Sequence, residues 1–340
     1  MHGYRNWRIA FAASLLVAAP LGVTAANAQD MMQLTVAVPN PSAINNFPLF
    51  VAMGEGYFAE EGLELTVEAL NGSAAVLQVM ASGQAQIGNP GPGPLLSARA
   101  RGEDVVFIYN QYPKSIFGLM VPEESEAQGP ADLDGATVGV GTADGAEVAF
   151  TRGILQDAGL TEGENYTFLT VGDGGTAAAA FLGEEVDAYA AAVSDAAIIE
   201  SRGIPLREIT PEEYLSFFGN GWAVTGQFIE ENPEAVEGFG RALVKATRFG
   251  LDPANREKVL EHTTAGNPQE GEDTEFANAL LDAVMERIQP VDDSNGYGYQ
   301  PPEHWEAWHQ SQLDTGGLAE PLENLEEAYN NDFVEAWNAQ

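Results

Sequence analysis

The stretch LTVAVPNPSAINNFPLFVAMGEGYFAEEGLELTVEALNGSAAVLQVMASGQAQIGNPGPGPLL, residues 34–96, decides the fold. Its periodicity and punctuation predict a strand at 34–38, a polar turn-rich loop at 40–46 and a helix ending near Gly56. A second strand follows at 65–69, then a helix at 74–81 and a short strand at 85–88 that stops in Asn89-Pro90-Gly91-Pro92-Gly93-Pro94. Strands alternating with helices imply a parallel sheet covered on both faces. In such sheets ligands sit at the carboxyl ends of the strands, here the loops 40–46 and 89–94.

The same plan returns further along. Residues 137–140 read as a strand followed by the loop GTADGAE and a helix through Leu155; TFLTV runs into GDGG; TAAAAFLGEE and VDAYAAAVSDAA give a helix and a strand breaking into a helix. Gly175-Thr176-Ala177-Ala178 is the counterpart of Gly72-Ser73-Ala74-Ala75. Two such α/β units imply two lobes with loop mouths that face each other, a clamshell. Between them, 115–121 reads as a crossing strand and 214–225 as the return, which makes the first lobe discontinuous. The expected division is 1–28 as a signal peptide, 29–120 with 220–340 as lobe 1, and 121–219 as lobe 2. The rest, beyond Phe228, is mostly helical.

Candidate ligand contacts follow from the loops. Asn40, Ser42, Asn45 and Asn46 are short polar groups in the first strand-end loop, and each also suits a cap or turn. Asn89, Pro90 and Gly91 fix a backbone free of bulky side chains before a helix start. Thr142, Asp144 and Gly145 precede another helix, and Ser194 stands at a third. Helix starts favour an anionic or carbonyl group. Asp144, Glu147 and Asp195 already supply negative charge there, so an amine or a ring N–H is an equally good fit. Tyr112 near the crossing and Trp222 in the return are the aromatics placed to stack on a flat ligand, and both also suit cleft-edge packing.

Composition narrows the class. Residues 1–28 carry Arg5 and Arg8, the apolar run IAFAASLLVAA and the ending Ala26-Asn27-Ala28, a cleavable secretory signal and hence a periplasmic destination. Without it, 312 residues remain with 12 basic and 51 acidic side chains, a formal charge of −39. That surface repels nucleic acid and anionic membranes and reads as a salt-adapted acidic coat. With no cysteine there is neither a disulfide nor a lipid attachment point, and four histidines give no metal spacing. Nor is there a Ser-His-Asp arrangement at the loops, and GVGTADG is not a nucleotide-binding GxGxxG. No cofactor, no metal and no catalysis are expected.

The order NFPLFVAMGEGYFAEEGLELTVE, LQVMASGQAQIGN, DLDGATVGVG, ILQDAGL, LGEEVDAYAA and NPEAVEGFGRAL resembles the periplasmic solute-binding proteins of the nitrate, sulfonate, taurine and thiamine-pyrimidine group, over residues 33–317. The resemblance implies a two-lobed periplasmic binding protein fold of type II with two crossing strands. It also implies a monomer that hands a small polar organic solute (a sulfonate, a carboxylate, or a nitrogen heterocycle or amine) to an ABC permease. A periplasmic partner of a signalling receptor is the alternative; a thiamine-pyrimidine-synthesis enzyme, which would need a histidine in a strand-end loop, is another. The family's pocket falls on 41–47, including Phe47, on 89–91, near Tyr112, on 142–145, on 174–176 with Gly174 and Thr176, and on Ser194 and Asp195. The Asp-Trp pair and histidine that pyrimidine binders of the group carry in the first loop are absent here.

Overall fold

The computed structural model describes residues 31–143, 145–215, 217–290 and 294–339; the signal peptide expected at 1–28 and the side chain of Asp144 lie outside them. Two five-stranded sheets carry the chain. The first contains β1 (Met32–Val38), β2 (Leu63–Ala69), β3 (Ile87–Gly88), β4 (Val106–Tyr109) and a strand from far downstream, Trp222–Val224. The second contains β5 (Phe117–Pro122), β6 (Thr137–Val140), β7 (Thr167–Thr170), β8 (Ala188–Ala192) and β9 (Leu206–Glu208). With Trp222–Val224 as β10, the orders are β2-β1-β3-β10-β4 and β7-β6-β8-β5-β9.

The repeat seen in the sequence is thus a repeat of topology. In each sheet three neighbouring strands pair in parallel, the first of the unit in the middle. In each, the fourth position is taken by an antiparallel strand that enters straight after the chain crosses between the sheets: β10 between β3 and β4, β5 between β8 and β9. Residues 117–120, assigned by sequence to lobe 1, therefore pair wholly within the second sheet. The chain is a two-lobed α/β protein.

Burial explains the choice of strands. Leu34, Val36 and Val38 on one face of β1 and Ala37 on the other are almost wholly buried, as a strand covered on both faces requires. Helix Phe47–Gly54 packs against helix Pro233–Leu251, which itself meets the first sheet at β2. The helix Pro233–Leu251 turns an apolar stripe of Val236, Phe239, Leu243 and Ala246 inward and is tied at its polar face by the Arg241 to Glu61 ion pair of 2.7 Å. Among the described residues no helix is long and apolar enough to cross a membrane.

Candidate functional site

The strand-end loops of the two sheets converge on one cavity of about 610 Å³. The loops meet across it. Asn45 Nδ2 donates to Ser194 Oγ at 2.9 Å. Gly72, at φ +86°, brings the first lobe so near that a Cβ there would stand 3.0 Å from Thr142 Oγ1. Gly91 lies under Ala146, where a Cβ would be 2.4 Å from that methyl, so the Pro-Gly-rich loop is used for close lobe-to-lobe packing.

Of the residues singled out by sequence, Asn40, Ser42, Asn45, Thr142, Gly174, Ser194 and Asp195 line this cavity. Others stand behind it. Asn46 accepts from Gln111 Nε2 at 3.2 Å, and the Tyr112 hydroxyl donates to the Asn45 carbonyl; both brace the loop from the rear. Phe47 lies wholly buried against Gly250. Trp222 is wholly buried and meets Phe239 edge-on at 5.4 Å. The Asn89 carbonyl accepts from Asn220 Nδ2, the Pro90 carbonyl from Gly221 N–H, and Gly91 N–H donates to Ser73 Oγ. Gly145 caps the helix Ala146–Asp157, and the Thr176 hydroxyl donates to the Asp173 carbonyl. The aromatic rings in the cavity wall are those of Phe117 and Phe276.

Sequence reasoning missed one whole wall. Asn267, Gln269, Glu270, Glu272, Asp273 and Phe276 come from the C-terminal region and close the side of the cavity next to the first loop. Glu270 is central to it. Ser42 Oγ donates to Glu270 Oε1 at 2.5 Å, and Ala43 N–H and Ile44 N–H donate to Oε2 at 2.9 and 3.1 Å. Asn267 Nδ2 adds a bond to the Pro41 carbonyl at 3.1 Å. Burial pushes the Glu270 carboxyl up from the ordinary carboxylate range, and these three hydrogen bonds hold it part of the way down.

The second lobe treats its helix starts in the same manner. Asp195 takes Gly174 N–H at 3.2 Å on one oxygen and Ala192 N–H at 3.1 Å on the other, capping the helices Gly175–Leu182 and Val193–Ser201 together. Glu147 Oε1 accepts from Thr142 N–H at 3.4 Å. Asp173 lies over Gly141, where a Cβ would fall 1.7 Å from its Oδ1. Burial first, and then the Asp173 charge, push the Asp195 carboxyl up to about 8; the two backbone bonds oppose the shift. Six carboxylates of the described residues line the cavity, against the single guanidinium of Arg202. Three lining polar atoms are buried without a protein partner: Asn45 Oδ1, Thr142 Oγ1 and Asn220 Oδ1. Asn220 is oriented by its Nδ2 bond to a carbonyl, so the atom left over is an acceptor. Among the described residues no cluster of three metal-ligating side chains occurs. A smaller cavity of about 200 Å³, walled by Asn110, Tyr297 and His304 among others, shares no residue with this one.

Comparison with known proteins agrees with this architecture. The family profile described as "NMT1/THI5 like" matches residues 43–255. The riboflavin-binding protein RibY of Chloroflexus aurantiacus is 27% identical over 330 residues, covering 93% of this chain and 90% of that protein. A formylaminopyrimidine-binding protein of Halalkalibacterium halodurans is 23% identical over 272 residues, covering 78% and 80%. Among solved structures, the alkanesulfonate-binding protein SsuA of Xanthomonas axonopodis pv. citri, bound to MOPS, superposes with a TM-score of 0.69 at 18% identity, covering 88% of this chain and 98% of that one. All three are named as solute-binding proteins, and the solved structure shares the two-lobed fold of a periplasmic binding protein. The chain belongs to the NMT1/THI5-like family.

Proposed function

We propose that this chain is the periplasmic solute-binding component of an ABC importer and that its solute is a flat, uncharged or cationic nitrogen-bearing molecule rather than an anion. One observation carries the reading. The N–H groups of Ala43 and Ile44 in the first loop, and those of Thr142, Gly174 and Ala192 at or just before three helix starts of the second lobe, already face carboxylates of the chain itself, Glu270, Glu147 and Asp195. Left without a protein partner among the lining residues are two acceptors, Asn45 Oδ1 and Asn220 Oδ1, and the Thr142 hydroxyl, with the rings of Phe117 and Phe276 in the wall. Such a site holds N–H donors edge-on and a ring face-on. A cavity of about 610 Å³ lies within the range of roughly 300–1,000 Å³ that suits organic ligands. The names of the two sequence relatives, for riboflavin and for formylaminopyrimidine, favour the same class.

Capture proceeds by closure of the two lobes about the crossings that lead into β5 and β10, which buries the solute and presents one composite face to the permease. A thermal-shift panel on the exported chain in high salt tests the reading. Riboflavin, pyrimidines and amines are set against sulfonates, nitrate and carboxylates. Stabilisation by a member of the first group alone supports it, and stabilisation by an anion alone overturns it.

A further inference from the structure

Glu270 is bonded in the way a bound anion would be. Its carboxylate takes one hydroxyl and two successive backbone N–H groups from the loop that ends β1, at 2.5, 2.9 and 3.1 Å. Yet it arrives from a short 3-10 turn, Pro268–Gly271, more than 220 residues away in sequence, and it lies in the cavity wall. The other backbone donors from Ser42 to Asn46 are also engaged: Ser42 N–H on Asn40 Oδ1, Asn45 N–H on Ser42 Oγ, Asn46 N–H on the Ala43 carbonyl. Next to this occupied nest, Asn45 Oδ1 is buried and unpartnered in the same wall. Successive N–H groups beside a hydroxyl make an anion-binding concavity, and charge-assisted bonds of this kind are the strong ones.

We propose that Glu270 is a built-in occupant of an anion subsite, and that it is the residue that sets this protein's preference against anionic solutes. The proposal rests on the functional reading above. Glu270 fills the subsite with a carboxylate of the chain's own and adds repulsion against any second one, so a sulfonate or carboxylate solute meets neither free donors nor a neutral wall. Asp195 does not play this part. It caps two helices of its own lobe at once, and its removal disturbs both.

The experiment is calorimetry of methanesulfonate and of acetate, at constant high sodium chloride, on the wild type, on Glu270→Ala and on Glu272→Ala, with riboflavin as a parallel ligand. Glu272 lines the same wall, and no hydrogen bond joins its side chain to the loop, so its variant controls for loss of one negative charge. The expected result is that Glu270→Ala binds both anions tighter than wild type by about tenfold or more, while Glu272→Ala does not. The melting temperature of Glu270→Ala should also rise with either anion at fixed ionic strength. If Glu270→Ala does not fold, Glu270→Ser, whose side chain is too short to reach the loop, carries the test and should show the same gain. A folded variant with no more anion affinity than Glu272→Ala overturns the proposal. Riboflavin binding by the wild type together with that failure would leave the functional reading standing, whereas tight methanesulfonate binding by the wild type would sink both.

Discussion

The two walls of the cavity hold their backbone donors in different ways. On the first lobe the loop 40–46 is tied by a carboxylate brought from a distant part of the chain, and its rear is braced by Tyr112 and Gln111. On the second lobe the acids are nearer in sequence: Glu147 lies in the first turn of the helix Ala146–Asp157, Asp195 lies in one of the two helices it caps, and Asp173 stands just before the other. The first arrangement makes a stiff wall whose geometry depends on long-range contacts. The second gathers like charges near one another, so its protonation changes with pH and its geometry is set by sequence neighbours.

The largest test removes a support behind the first wall. Trp222→Ala should cost about 3–5 kcal/mol of stability in urea titrations, because a wholly buried ring is replaced by a cavity. Solute affinity of the folded fraction should move less than stability does; a variant of normal stability that binds poorly would put the indole in the site after all.

The next test distinguishes the walls by their response to pH. The folded-state pKa of Asp195 is raised, so the folded protein binds more protons than the unfolded chain between about pH 4 and about pH 8. Stability from this group is therefore present at the acid end and is lost as pH rises through that window. Melting temperatures should fall across it for the wild type, and Asp195→Asn should flatten the slope. An unchanged slope in the variant would mean that the acids of the second lobe are not coupled as described.

Asn220→Ala should weaken a donor-bearing solute by about 1–3 kcal/mol in calorimetry, since it deletes a buried acceptor oriented by the Asn89 carbonyl. Smaller again is the effect of Asn45→Ala, about 1 kcal/mol, which removes one acceptor and the bond to Ser194 that joins the lobes. Equal losses in both would indicate that the bridge between the walls matters as much as the acceptors.

Much of this was legible from short-range signals. The strands at 34–38 and 137–140, the helix at 74–81 and the repeated unit rest on periodicity and on Gly, Pro and Asn punctuation, and they appear as Met32–Val38, Thr137–Val140 and Ser73–Ala81. The loop at 40–46 and the pair Ser194 and Asp195 were visible as polar groups at strand ends. Aromatic roles were not, because residue type alone does not separate a ring that stacks on solute from one that fills a sheet interior: Tyr112 and Trp222 proved to be buried supports, while Phe117 and Phe276 face the cavity. Glu270 left only a faint trace, the Asn267-Pro268 turn between two helices, since its partners lie more than 220 residues away. Asn89-Pro90-Gly91 looked like a ligand loop for its lack of side chains, and that same lack lets Ala146 of the other lobe approach.

The most direct measurement is isothermal titration of residues 29–340, in high salt to screen their acidic surface, with a matched pair of ligands: riboflavin, or a neutral aminopyrimidine, against methanesulfonate. Saturable binding of the nitrogen heterocycle, with no heat from the sulfonate, is the result predicted by a cleft whose anion-binding N–H groups are held by its own carboxylates. Saturable binding of methanesulfonate to the wild type, with none of the heterocycle, would contradict it.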